Sequence, residues 1–297
     1  MADRMLELML KLDSVRGISG YEEDVAELMH AELAPLSDEQ SRDPLGNRYF
    51  TKRGAKGAPV LMLCAHMDEL GFLVQHIEDE GFLRLAPVGY HDDRMLTDQV
   101  LEVQGLNGPV VGVVGTKPAH VVSAEERGKA IPLHEMFVDL GTASREETEA
   151  LGVRVGDPIT FVRTGMPLNG TRVFTGKAVD DRAGCAVMIE AMRRLAERDV
   201  AATVVAVASV QEELGLRGAG PAAFRVKPDV AIALDVTLAG DTPATEFRQL
   251  PIKLGGGPAI KYFDWAPAAV IGSAEARPSS TSTGHPQRRS APRCRGG

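Results

Sequence analysis

The chain has 297 residues, 44% of them hydrophobic, with 33 basic and 41 acidic side chains for a formal net charge of −8. That length supports one large domain or two smaller ones with real cores, and the acidic balance argues against nucleic acid or an anionic membrane surface as a partner. No run approaches the ~20 consecutive apolar residues of a membrane-spanning helix, and the N-terminus lacks a basic-then-apolar leader, so a soluble cytoplasmic protein is expected. Cys64, Cys185 and Cys294 are odd in number and far apart. The first two sit inside apolar elements, which favours reduced thiols over a disulfide framework.

Residues 3–13 and 22–34 read as helices. The second has Val25, Leu28, Met29 and Leu33 at helical spacing, preceded by a capping-box pattern at Ser19-Gly20-Tyr21-Glu22. The apolar run 60–65 then stops at His66-Met67-Asp68-Glu69. From about Gly71 to Arg172 short apolar runs alternate with Gly, Pro and Asp, the texture of an all-β barrel or sandwich. Asp180-Asp181 follow, ahead of a helix with Cys185, Met188, Met192 and Leu195 on one face. A second apolar run, 203–208, leads through Ser209-Val210-Gln211 to Glu212-Glu213, and a third, 230–234, ends at Asp235. The domains expected are an α/β domain over 1–70 and 173–265, an inserted β domain over 71–172, and a tail over 266–297. That tail holds no Leu, Phe, Tyr or Met and one acidic residue, Glu275, too little apolar surface to fold alone.

Apolar runs without alternation read as strands buried on both faces of a parallel sheet, and such sheets carry their functional crevice at the carboxyl ends of the strands. Three strands therefore deliver His, Glu-Glu and Asp to one edge. Taken singly, each has a bland reading: a core histidine, acidic residues favouring a helix N-terminus, a helix cap, a turn aspartate. Together they describe a carboxylate-rich metal centre of the kind used in metal-assisted hydrolysis. Asp68 can lie beneath the His66 ring and fix its tautomer. Of two neighbouring glutamates, one can bind metal while the other takes a proton from the attacking water. His76, His91, His120 and His134 fall in the β region, where only His120 and His134 lie near polar loops. Gly255-Gly256-Gly257-Pro258 lacks the Lys-Ser/Thr and helix context of a phosphate loop, and Cys64, inside an apolar strand, is disfavoured as a nucleophile.

Ser19-Gly20-Tyr21-Glu22, Ala65-His66-Met67-Asp68-Glu69-Leu70-Gly71, Gly176-Lys177-Ala178-Val179-Asp180-Asp181-Arg182-Ala183-Gly184, Val210-Gln211-Glu212-Glu213-Leu214-Gly215 and Asp235-Val236-Thr237 resemble the M42 family. These are dinuclear metallo-aminopeptidases, some mislabelled endoglucanases, that often form tetrahedral dodecamers. The resemblance runs to about Asp264 and implies a phosphorylase/hydrolase-like α/β zinc-peptidase domain with an inserted, PDZ-like β-barrel for dimerisation. It implies two zinc or cobalt ions, with Asp180 bridging them, His66 and Asp235 completing one site and Glu213 binding the second ion. It makes Glu212 the general base and Asp68 the partner that orients His66, and it implies a cis Asp180-Asp181 peptide. Peptides are the implied substrates and a homo-oligomer, from dimer to dodecamer, the implied assembly.

One family ligand has no counterpart: a histidine from a Gly-Thr-Asp-type loop near the C-terminus. The only histidine after Asp235 is His285, with nothing around it to hold a ligand. The second site is thus expected to lack its histidine, and past Trp265 the sequence reads like translation in a shifted frame. The competing expectation is a non-catalytic remnant that binds at most one ion or acts only in assembly. A glycosidase fits poorly, because two carboxylates flanking a bond at ~5–9.5 Å leave His66 and Asp235 without a role.

Overall fold

The computed structural model describes residues 2–118, 120, 121, 123, 128–243, 245, 248, 250–265 and 268–273. Helices α1 (Ala2–Ser14) and α2 (Glu23–Leu33) open the chain, followed by strands β1 (Glu39–Arg42), β2 (Arg48–Lys52) and β3 (Val60–His66). Next come β4 (Gly71–Ile77), β5 (Leu83–Val88), β6 (Val100–Gly105), β7 (Gly108–Gly115), β8 (Phe137–Asp139), α3 (Arg145–Ala150) and β9 (Pro158–Phe161). The short strands β10 (Met166–Pro167) and β11 (Phe174–Thr175) lead into α4 (Val179–Ala196), β12 (Thr203–Ser209), α5 (Ala219–Val226) and β13 (Val230–Ala233). Strands β14 (Ala259–Trp265) and β15 (Ala268–Ser273) are the last described elements.

The main sheet has the order β1-β2-β12-β3-β13. β3 runs parallel to both β12 and β13, and β2 runs antiparallel to β12. Alternate residues of β3 and β12 serve two different cores. Leu63, Ala65, Val204, Ala206 and Ala208 pack with Leu12, Met29, Cys185 and Met188 from the helices on one face. Met62, Cys64, Val205 and Val207 pack with Tyr49 and Ala222 on the other. Both pleat faces are covered, which is why these strands show no polar alternation.

β13 departs from this expectation. All four of its residues are exposed, Val230 at 57% and Ile232 at 44%. It is an edge strand hydrogen-bonded to β3, and α5 lies over β12 and β3.

Between β3 and α4 the chain closes a six-stranded barrel in the order β4-β5-β8-β7-β6-β9, inside the interval expected to be all β. Its interior is filled by alternate residues such as Phe72, Val74, Leu83, Leu85, Leu101, Val103, Val114 and Ile159, as the pleat requires. Barrel and sheet belong to one compact unit, Met1–Val236, and a second unit begins at Thr237. This division falls earlier than the domain end expected at 265, where a Gly/Pro-rich stretch (Gly240, Pro243, Pro251, Gly255, Gly256, Gly257, Pro258) replaces the apolar runs.

In that second unit β14 and β15 pair antiparallel. β15 lies within the stretch expected not to fold; its β-branched Val270 and Ile271 suit a strand, and the pairing satisfies backbone groups that composition alone does not reveal. The rest of that stretch, with His285 and Cys294, lies outside the described residues. Among the described residues no helix is long and apolar enough to cross a membrane.

Candidate metal centre

The parallel register brings the predicted residues to one edge. Ser209 pairs with His66 and Ala233 with Cys64, so the segments after β12 and β13 emerge beside the end of β3. His66 is 4% exposed. Its Nδ1 lies 3.1 Å from the Asp68 carbonyl oxygen and 3.4 Å from Asp68 Oδ1. A carbonyl oxygen can only accept, so Nδ1 carries a proton and Nε2 faces the cleft, where a cation would meet its lone pair once the ring's second proton has left. There Asp180 Oδ1 lies 3.0 Å away and Glu212 Oε2 3.8 Å away.

Asp68, fully buried, does more than orient a ring. Its Oδ1 accepts the Glu212 N–H at 3.0 Å, and its Oδ2 accepts the Glu213 N–H at 3.1 Å and the Ser19 hydroxyl at 2.5 Å. The carboxylate at the end of β3 thus holds the turn after β12. Ser19 and Glu22 consequently serve the site and do not form the expected capping box. Glu22 occupies the N-cap of α2 without a side-chain cap bond, and its Oε1 accepts the N–H groups of Gly20 and Gln211.

At the start of α4 the two aspartates divide. Asp180 and Asp181 have non-helical backbone angles, and the peptide between them is cis. Asp181 is buried: its Oδ1 accepts the Gly184 N–H at 2.9 Å, as a helix cap does, and its Oδ2 accepts the His66 N–H at 3.3 Å. A Cβ at Gly184 would meet Asp181 Oδ1 at 2.4 Å, so this position needs glycine. Asp180 stays 55% exposed and turns toward His66.

Two groups of donor atoms result, His66 with Asp180 and Glu213, and His66 with Asp181 and Asp235, each within 4.8 Å. The structure therefore sets Asp235 beside Asp181, a residue the sequence left without a ligand role, while the expected partition paired it with Asp180. His66 belongs to both groups, and among the described residues no second histidine joins either. His91 stacks on Phe72, with ring centroids 4.3 Å apart, and His134 stands beside Glu135; neither His134 nor His120 enters the donor groups.

The electrostatics call for a cation. Burial pushes Asp181 up to about 8 against the opposing charge of His66, and burial together with the neighbouring charge of Asp180 pushes Glu213 up to about 7. Burial raises Glu212 as well. Burial works against a charged His66, but hydrogen bonds to Asp180 and Asp68 prevail and push it up to about 11. Six acids, Asp68, Asp180, Asp181, Glu212, Glu213 and Asp235, crowd one imidazole, and these mixed oxygen and nitrogen donors suit a divalent cation.

Behind the cluster lies a buried brace. Glu69 takes the Lys177 ammonium on both oxygens, the Gly17 N–H at 3.0 Å and the Thr160 hydroxyl at 3.4 Å. Arg182 donates to the carbonyls of Leu12 and Val15, and Asp13 accepts the Ala178 N–H at 2.9 Å. The brace joins α1, the β3–β4 junction, the barrel strand β9 and the entry to α4. Only the position of Glu69 and Lys177 inside the recognised motifs hints at it in the sequence. Cys64 and Cys185 are free and buried, with burial pushing both thiols up, which removes Cys64 as a nucleophile.

A mixed sheet whose three parallel strands bring acids and an imidazole to one edge, with a closed barrel inserted after β3, is an α/β architecture with a candidate metal centre. The chain belongs to the M42 glutamyl aminopeptidase family, which matches residues 46–271, and is a peptidase by that membership. It is 39% identical over 256 residues to the lysyl aminopeptidase of Pyrococcus furiosus, covering 86% of this chain and 72% of that protein. The TET aminopeptidase of Thaumarchaeota archaeon SCGC AB-539-E09 superimposes with a TM-score of 0.82 at 38% identity, over 86% of this chain and 72% of that one. The Pyrococcus horikoshii TET1 peptidase, described as assembling into a tetrahedron or a large octahedral shell, gives 0.73 at 34% identity, over 85% and 73%.

Proposed function

We propose that this protein is a metal-dependent aminopeptidase that removes residues from the free amino ends of peptides, using zinc or cobalt. The observation that carries the reading is the convergence of His66, Asp180 and Glu213, from three separate elements, within 4.8 Å. His66, Asp180 and Asp235 would hold one ion, and Asp180 and Glu213 would hold the second. Asp181 already accepts two backbone N–H groups, which suits a scaffolding role and leaves Asp180 to face the cleft. When bound, the ions supply Lewis acidity that polarises the scissile carbonyl and eases deprotonation of the attacking water.

The chain's own residues do the rest. Glu212, raised by burial, takes the proton and returns it to the leaving amine. The carbonyl of Asp68 fixes the His66 tautomer, and its carboxylate holds the backbone of both glutamates. The negative cleft suits the protonated amino terminus of a peptide. The assembly of the horikoshii relative supports a homo-oligomer, in which the barrel would serve as a PDZ-like dimerisation domain. Two buried free thiols fit a reducing, cytoplasmic setting.

Hydrolysis of leucine- and glutamate-p-nitroanilide by the full chain with cobalt or zinc, beside metal analysis, tests this. Turnover that chelation abolishes is expected. Absence of both metal and turnover, or cellulose hydrolysis by metal-stripped protein, overturns it. The sharing of His66 between the two donor groups favours a second reading: one ion per chain and little turnover, because structural and catalytic zinc sites want three or four protein ligands. Metal analysis returning one equivalent, with no anilide hydrolysis, selects it.

A further inference from the structure

The turn bearing the two glutamates does not hold itself. Gln211, the residue before Glu212, has a φ of +53°, a left-handed conformation that a non-glycine residue adopts only under local constraint. Its N–H is taken by Glu22 Oε1 at 3.0 Å, across 189 residues of sequence. That same oxygen accepts the Gly20 N–H at 2.8 Å, and the Glu22 residue is only 7% exposed.

One residue further on, Glu212 and Glu213 give their N–H groups to Asp68, which Ser19 holds in turn. The segment from Ser19 to Glu22 therefore grips the turn twice, once through Asp68 and once directly. The direct grip falls on the residue whose backbone needs it.

We infer that Glu22 is a positioning residue: it locks Gln211 in the left-handed conformation and thereby sets where Glu212 and Glu213 point. This rests on the metallopeptidase reading for its consequence, but the grip itself is a property of the metal-free chain. An acceptor oxygen at this reach is what the geometry demands, so a glutamine serves and a shorter aspartate does not.

The test compares Glu22→Ala, Glu22→Asp and Glu22→Gln in the full chain by hydrogen exchange at the Gln211 amide, by cobalt titration followed in the visible spectrum, and by kcat and KM. The Gln211 amide should lose protection in the alanine and aspartate variants. Cobalt affinity should fall about 10–100-fold, as expected when a ligand's support is removed, with a shifted spectrum and with kcat falling more than KM rises. Glu22→Gln should restore all of these. Should Glu22→Ala fail to fold, Glu22→Asp, which keeps the charge, carries the comparison.

Unchanged exchange at Gln211 overturns the inference. Exchange that rises while cobalt affinity, spectrum and kcat stay as in the parent also overturns it, leaving a merely structural contact. Loss of protection in a protein whose parent neither binds cobalt nor cleaves anilides upholds the grip and instead sinks the metallopeptidase reading.

Discussion

Asp68 Oδ1 accepts the backbone N–H of Glu212 at 3.0 Å, tying the end of β3 to the turn that follows β12. The contact makes the imidazole and glutamate ends of the site one rigid piece, because the same residue's carbonyl oxygen lies 3.1 Å from His66 Nδ1. Replacing Asp68 with alanine leaves the N–H groups of Glu212 and Glu213 and the Ser19 hydroxyl without their acceptor. An unpaired buried polar group costs about 1–3 kcal/mol. Asp68→Ala should therefore lower the unfolding free energy by about 3–5 kcal/mol in urea titrations and weaken cobalt binding. A variant as stable as the parent would show that these N–H groups find other partners.

Glu212 and Glu213 are neighbours with different expected duties. Glu212→Gln should nearly abolish anilide hydrolysis and leave metal content unchanged, since the amide cannot take a proton. Glu213→Gln should lower the occupancy of one ion. Equal metal loss in both variants would reverse the assignment.

The metal-free protein should become less stable as pH rises. Asp181 and Glu213 are pushed by burial and neighbouring acids up to about 8 and about 7, and His66 is pushed up to about 11 by its hydrogen bonds to Asp180 and Asp68 against the cost of burial. Each holds its proton to a higher pH folded than unfolded, so its contribution is complete below the unfolded value and is lost as pH rises through the folded one. Burial opposes the charge on Asp68, but His66 and the surrounding donors lower it, so its stabilisation is already complete above about pH 4. Melting temperatures of metal-stripped protein should fall from about pH 5 to about pH 9, and cobalt should flatten the decline by replacing the protons. A melting temperature that climbs across that window without metal would contradict the crowding of acids described here.

The Lys177–Glu69 pair is buried on both sides, at 4% and 1% exposure. Lys177→Met strands a buried carboxylate, and breaking such a pair costs about 3–5 kcal/mol. Glu69→Gln combined with Lys177→Met should recover part of that loss, because no unpaired charge remains. Guanidinium unfolding at pH 7 measures both. A single variant within about 1 kcal/mol of the parent would mean that Arg182, 3.7 Å away, suffices as the partner.

The sequence by itself determined the elements whose signal is local. The unalternating runs of β3 and β12 are legible because both of their faces are covered, and Met188 and Met192 mark the buried face of α4. His66, Asp180, Glu212, Glu213 and Asp235 stand at the ends of such runs or just before a helix, so their gathering at one edge follows from parallel strand order. β1, with the sequence Glu-Gln-Ser-Arg and every residue exposed, carries no apolar signal and becomes a strand only by pairing with β2. Val230 and Ile232 look like core residues, yet the sheet ends at β13 and leaves them exposed.

The finer architecture of the site belongs to tertiary structure alone. Ser19 and Glu22 spell a helix cap in sequence, but Asp68 and Gln211 lie within their reach and take those side chains. Asp180 and Asp181 are told apart in sequence only by the family motif they sit in; the physical distinction is the backbone's, which turns Asp181 into the interior and Asp180 toward His66. The physical reason is the same each time: a buried donor or acceptor must find a partner in space, and here those partners lie 49 to 189 residues away along the chain.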